Sequence, residues 1–213
     1  MNTETVTRLP GRPREFDRNA ALRGAMEVFW AKGFQNTSIG DLTDAIGINA
    51  PSLYAAFGNK ESLFREAVGL YADTEGGASL RALRDEPTGR AAIEAMLKRN
   101  IEMFTSEAKP RGCMIVLGIV SLGPENEALQ SFIRDRRTKI SKAVKARLTT
   151  SAAHGELPPS ADIGALATLC MTVLNGLSLQ ALDGISRSAL FKSVDVFVAS
   201  LGFRTDTTSK RKV

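Results

Sequence analysis

Apolar residues recur along this chain at spacings of three and four, and no run alternates with period two. The pattern predicts an all-α fold of about nine helices. A polar, aperiodic stretch over 1–14 reads as a mobile arm. Asp17 is then placed to cap a helix with Leu22, Ala25, Met26 and Phe29 on one face, ending at Gly33. Two short helices follow. Ser38 and Asp41 have the spacing of a capping box, in which hydroxyl and carboxylate each take up a first-turn amide. Ile39, Leu42 and Ile46 share a face, and Gly47 supplies the positive φ that ends such a helix. Asn49 is a good N-cap for the next, and Pro51 is tolerated in its first turn, where no intrahelical bond is lost. Leu53 and Phe57 then point to the core, and Ser52, Tyr54, Ala55 and Ala56 point away from it. Asn59 caps a fourth helix through Leu63, Phe64, Ala67, Val68 and Tyr71, whose pattern runs on towards Leu83 with a weak point at Gly76-Gly77.

Residues 85–89 form the clearest break, with Thr88 as the next cap. Beyond it Ile93, Met96, Leu97, Ile101 and Phe104 form one stripe, and a short apolar helix over 114–122 is stopped by Gly123-Pro124. A long helix over 125–153, a loop at 154–160 and two final helices over 161–182 and 187–201 complete the pattern, before a polar tail at 204–213 that is expected to be disordered.

The helix, glycine turn and helix over 38–57 have the form of a device that reads the DNA major groove. Gly33-Phe34, Thr37-Ser38, Gly47-Ile48, Leu53-Tyr54, Phe57, Lys60-Glu61 and Leu63-Phe64 closely resemble the DNA-binding domain of TetR-type transcriptional regulators, over 15–72. Thr43 stands where that family usually has alanine, and Asn49-Ala50-Pro51 replaces its frequent Ser-x-Gly. Both changes are small and keep the cap, so they bear on operator sequence more than on fold. The resemblance implies a three-helix helix-turn-helix domain followed, over 73–203, by a helical effector-binding and dimerisation domain.

By the same resemblance Thr37, Ser38, Tyr54 and Lys60 would hold phosphates, Lys60 aided by the positive end of its helix. Asn49, Ala50, Ser52 and Ala55 would face bases, with Pro51 also in the DNA-binding set; the base-facing side chains are small, so thymine methyls, water and DNA shape should count for more than bidentate pairs. Gly11-Arg12-Pro13-Arg14 resembles the core of an AT-hook, and Arg12 and Arg14 either enter a minor groove or stay solvated. One head reads only a few base pairs, so a homodimer on a palindromic double-stranded operator is implied. Leu166, Val173, Leu177, Leu190, Val194, Phe197 and Leu201 are divided between its interface and the chain's own core. Met96, Ile101, Met103, Phe104, Met114, Leu117, Met171 and Leu174 are a pliable set that either lines an effector cavity or is plain core. The default effector is an apolar or aromatic small molecule.

Composition adjusts this picture. With 213 residues, 43% hydrophobic and 24% charged, the chain can bury a real core. No apolar run of the roughly 18 residues a membrane span needs is evident, so a cytoplasmic protein is expected. The net charge of +5 does not lie on the reading head, because residues 1–71 hold eight basic and eight acidic side chains. Most of the excess lies at 134–147, with seven basic residues and one acidic. This stretch is either a solvated helix face or a supplementary phosphate contact.

Cys113 and Cys170 have neither disulfide nor zinc-site spacing, and no metal or cofactor is indicated. Cys113, close to Lys109 and Arg111 at the start of an apolar helix, is either a thiol of lowered pKa open to oxidants and electrophiles or a small buried hydrophobe. The lone His154 has no paired carboxylate, Ser/His arrangement or phosphate loop to work with, so the chain does not read as an enzyme. Three functions stay open: a repressor released by an effector, a constitutive or architectural DNA-binding protein, and a thiol sensor acting through Cys113. A cavity above roughly 300 Å³ marks a sensor, and a sealed core marks the constitutive protein.

Overall fold

The computed structural model describes residues 17–120 and 122–204, and among these all regular structure is helical. Arg12, Arg14 and the tail beyond 204 lie outside the described residues. The helices are α1 (Arg18–Lys32), α2 (Ile39–Ile46), α3 (Ala50–Phe57), α4 (Lys60–Asp73), α5 (Ala78–Asp85), α6 (Gly89–Phe104), α7 (Met114–Val120), α8 (Glu127–Ala153), α9 (Ile163–Leu182) and α10 (Arg187–Ser200). The count exceeds the expected nine because the fourth predicted helix breaks at its glycines, where a 3-10 turn at Glu75–Gly77 separates α4 from α5. Gly76 passes over the Tyr71 ring so closely that a Cβ would stand 2.8 Å from Tyr71 Cε1. Glycine is needed there for space.

The caps fall where side-chain chemistry places them. Asp17 accepts the amides of Asn19 and Ala20, Asn49 that of Ser52, and Asn59 that of Ser62. At α2 the capping box is complete: Ser38 Oγ accepts the Asp41 amide at 3.0 Å, and Asp41 Oδ2 accepts the Ser38 amide at 2.8 Å. Lys32 Nζ lies 2.6 Å from the other carboxylate oxygen.

Two apolar cores result, and the first does not stop at the end of α4. Met26, Phe29, Leu42, Leu53, Phe57, Phe64 and Tyr71 are joined in it by Met114, Leu129 and Ile133 from α7 and α8. The second gathers Ile93, Met96, Leu97, Ile101 and Phe104 with Val144 and Leu148 and with the inner faces of α9 and α10. Met103 and Cys113 pack against both. The three-helix head is therefore fused to the larger helical layer.

α9 corrects one expectation. Its 20 residues contain no charged side chain, so by length and composition it is long and apolar enough to cross a membrane. Here it packs on α6, α8 and α10 and buries Ala167, Cys170, Leu174, Leu177 and Ala181. The basic run of α8 faces outward, with Arg134, Lys139, Lys142 and Lys145 exposed and Ile133, Val144 and Leu148 buried beneath them.

Gly89 is in close contact with α8, since a Cβ there would overlap Ser151 Oγ. Gly89→Ala should lower unfolding stability in urea by about 1–3 kcal/mol through overpacking, with partial recovery in Gly89→Ala/Ser151→Gly. The Asp41 carboxyl is lowered from 3.8 to about 2, first by its hydrogen bond from Lys32 and then by those from Ser38. Its contribution to stability is thus present above pH 3.8 and is lost as pH falls through about 2. The stability difference between the native chain and Asp41→Ala, followed by urea unfolding, should be largest above pH 4 and shrink towards pH 2.

Candidate nucleic-acid interface and regulatory cavity

α3 is held to its scaffold by Arg18 at the first turn of α1. Arg18 donates to the Ala56 carbonyl at 3.3 Å, pairs with Glu66 at 2.8 Å and lies 4.5 Å from the centre of the Phe57 ring. With Leu53 and Phe57 buried, helical periodicity turns Pro51, Ser52, Tyr54 and Ala55 to solvent, while Ala50 is half-buried. Tyr54 is 45% exposed, a large amphipathic side chain with no core to fill. Asn49 spends its Oδ1 on the Ser52 amide at 2.9 Å, which fixes the carboxamide at the mouth of the helix. Gly47 at φ 75 makes the left-handed turn between α2 and α3, a conformation that strains any residue with a Cβ.

The residues assigned to phosphate contact divide. Ser38 and Tyr54 are exposed. Thr37 is 1% exposed, and its hydroxyl donates to the Gly33 carbonyl at 2.6 Å, so its side chain closes the turn after α1 and is not offered to a phosphate. Lys60 opens α4 but folds back, its Nζ 4.5 Å from the centre of the Phe34 ring. Burial there holds the ammonium below its ordinary pKa, against the opposing pull of Asp41.

The larger layer contains a cavity of about 90 Å³ walled by Tyr71, Asn100, Phe104, Cys113, Met171 and Leu174, with Arg136, Arg137 and Lys139 also along it. Three of the eight residues expected in a cavity are there: Phe104, Met171 and Leu174. Met96 and Ile101 are fully buried core, and Met103 reaches the Tyr71 hydroxyl with its sulfur at 3.6 Å. Met114 and Leu117 line a separate open groove of about 400 Å³ with Phe29, Trp30 and Leu182. Tyr71 and Asn100 were not legible as walls, because helical spacing marks an inward face without showing whether that face meets protein or space. The enclosed volume is below the size expected of a drug-sized site, yet the core is not sealed.

Of the two readings of Cys113, its surroundings favour the buried thiol over one of lowered pKa. Lys109 is spent on Glu27 at 2.7 Å and Glu75 at 3.5 Å, and Arg111 donates to the Ala181 carbonyl at 3.3 Å. Burial pushes the thiol pKa up, opposed by the Tyr71 hydroxyl at 3.3 Å, the amides of Val116 and Ile115, and the charge of Arg137. Tyr71 is itself pushed well above its ordinary value by burial first and the neighbouring sulfur second. Cys170, inside the second core, is raised by burial to about 12.

The residues divided between dimer interface and core sort by burial. Leu177, Leu190, Val194 and Leu201 are buried in this chain's own core, and Leu166, Val173 and Phe197 pack half-buried against it. Leu169, Leu179, Leu182, Ile185 and Val196 are the large apolar residues that α9, α10 and their connection expose, Val196 at 73%.

Known proteins share this arrangement. The family model for bacterial regulatory proteins of the tetR family matches residues 21–67. The HTH-type transcriptional repressor BdcR of Escherichia coli (strain K12) is 34% identical over 187 residues, 87% of this chain and 89% of BdcR. The HTH-type transcriptional repressor ComR of the same organism is 32% identical over 192 residues, 90% of this chain and 91% of ComR. A cysteine mutant of the TetR family transcriptional regulator CifR, complexed with 26bp double-strand operator DNA, superposes with a TM-score of 0.84 at 39% identity, covering 89% of this chain and 99% of CifR. With two repressors above 30% identity along almost their whole length, and with a capped, outward-facing α3 in the matched segment, the chain belongs to the TetR family of bacterial regulatory proteins.

Proposed function

We propose that this protein is a cytoplasmic homodimeric repressor that binds a palindromic operator and leaves it when a small effector fills the cavity at Tyr71 and Cys113. The observation that carries this reading is the outward face of α3, fixed by Arg18 and rimmed by Tyr54, in a chain 39% identical to a regulator seen on operator DNA. Ser52 and Ala55 face base edges, Ser38 and Tyr54 grip phosphates, and Lys60 swings off Phe34 to add a third contact. Arg12 and Arg14 extend the contact into the flanking minor groove. A second copy covers Leu169, Leu179, Leu182, Ile185 and Val196, an apolar surface that would otherwise face water. The effector is small or widens its site, because a cavity of about 90 Å³ is well below the roughly 300 Å³ at which drug-sized sites begin.

Selection from a random DNA pool should yield palindromic sites whose halves lie about one helical turn apart. Tyr54→Ala should weaken binding to them by about tenfold without lowering thermal stability. A pool with no preferred site would refute the reading.

A second reading makes the cavity thiol itself the sensor. It is favoured by the position of Cys113 in the cavity wall, in contact with the Tyr71 hydroxyl. An electrophile would form an S–C bond as the thiol proton leaves, and the added group would occupy the cavity. The raised thiol pKa makes this reaction slow at neutral pH and faster as pH rises. Operator release by a quinone should disappear in Cys113→Ser, and release that survives there removes Cys113 from the mechanism.

A further inference from the structure

The loop between α6 and α7 is bound to both halves of the molecule. Towards the head, Lys109 pairs with Glu27 of α1 at 2.7 Å, and Trp30 of α1 donates its indole N–H to the Gly112 carbonyl at 3.1 Å. Towards the other side, the Cys113 amide donates to Ser178 Oγ of α9 at 2.8 Å, and Arg187 of α10 donates to Thr105 Oγ1 at 2.9 Å. Gly112 is buried at φ 78, where a Cβ would lie 3.0 Å from Leu117 Cδ1 and 3.1 Å from the Ser178 carbonyl. The loop therefore has little freedom at the point where it meets the indole.

Trp30 completes a closed circuit. Its ring stands edge-on to Tyr71, with centroids 4.9 Å apart at 78°. The Tyr71 hydroxyl reaches Cys113 Sγ at 3.3 Å, and Cys113 is bonded to the residue whose carbonyl the indole holds. Trp30 is 3% exposed and Tyr71 is fully buried, so the contacts of the circuit are made out of bulk water. Two circuit members, Tyr71 and Cys113, are cavity walls, and a third belongs to the scaffold helix that carries α3 through Arg18.

Building on the proposed function, we propose that Trp30 is the positioning residue through which cavity and reading head are coupled. A group that fills the cavity moves Tyr71 or Cys113, the indole loses the Gly112 carbonyl, and α1 with α3 takes a new angle. The hydrogen bond is the element that differs between the two states. Lys109 and Glu27 keep the loop attached while it shifts.

The test uses the full chain with Cys170→Ala, which leaves Cys113 as its sole thiol, and methyl methanethiosulfonate as the probe that adds a methylthio group there. Modification should shift the fluorescence of Trp30, the chain's single tryptophan, and lower operator affinity at least about tenfold. In Trp30→Phe, which keeps an aromatic ring but deletes the donor, unmodified affinity should stay within about threefold of the parent, and the loss on modification should shrink to below about threefold. An equal loss in both proteins overturns the proposal, and so does Trp30 emission that modification leaves unchanged. If Trp30→Phe no longer binds operator before modification, Tyr71→Phe is read in the same way, since it cuts the link to sulfur and leaves the ring against Trp30. Failure of the proposed function looks different: DNA selection then finds no site, while Trp30 emission still follows Cys113.

Discussion

Burial of α1 on two sides at once is the constraint from which the rest of the structure follows. Phe29 stands edge-on to Phe64 with centroids 5.1 Å apart, Trp30 does the same to Tyr71, and Met114, Leu129 and Ile133 close the same core from the larger layer. Each aromatic ring removes a large apolar area from water only while both layers are in place. A short helix-turn-helix has little core of its own, so its stability is borrowed from α7 and α8. The boundary drawn at residue 72 does not separate two cores, since Met114, Leu129 and Ile133 from beyond it share the core of α1–α4.

Charge follows from the same economy of small parts. Arg18 is committed to Glu66 and Phe57, Lys32 to Asp41, Arg65 to Glu61 and Phe132, and Lys60 rests on Phe34. The described head thus uses several of its cations to assemble itself. Exposed pairs of this kind contribute little stability each, but they orient side chains. Arg18 matters for the direction in which it holds α3 more than for its charge.

Local signals in the sequence were the legible ones. Ser38, Asn49, Asn59 and Thr88 act as caps because capping depends on residues three positions apart, and Gly47 turns left-handed because few other residues do so cheaply. What escaped depends on the partner across space. Leu190 and Leu182 are equally apolar, yet one fills the core and the other faces solvent. Cys113 has basic neighbours along the chain, but Glu27, Glu75 and the Ala181 carbonyl, all distant in sequence, take those charges away from its sulfur. Thr37 fits a family position, but in this chain its hydroxyl goes to Gly33.

The charge-free α9 has a consequence for how the chain is made. Twenty residues without a charge resemble, as they leave the ribosome, a segment that insertion machinery would accept. Two of the helices that cover its inner face, α6 and α8, precede it in the chain, so on synthesis the apolar surface meets a partner already made. Only α10 has still to arrive. The order of helices thereby shortens the interval in which the nascent protein is open to mistargeting or aggregation.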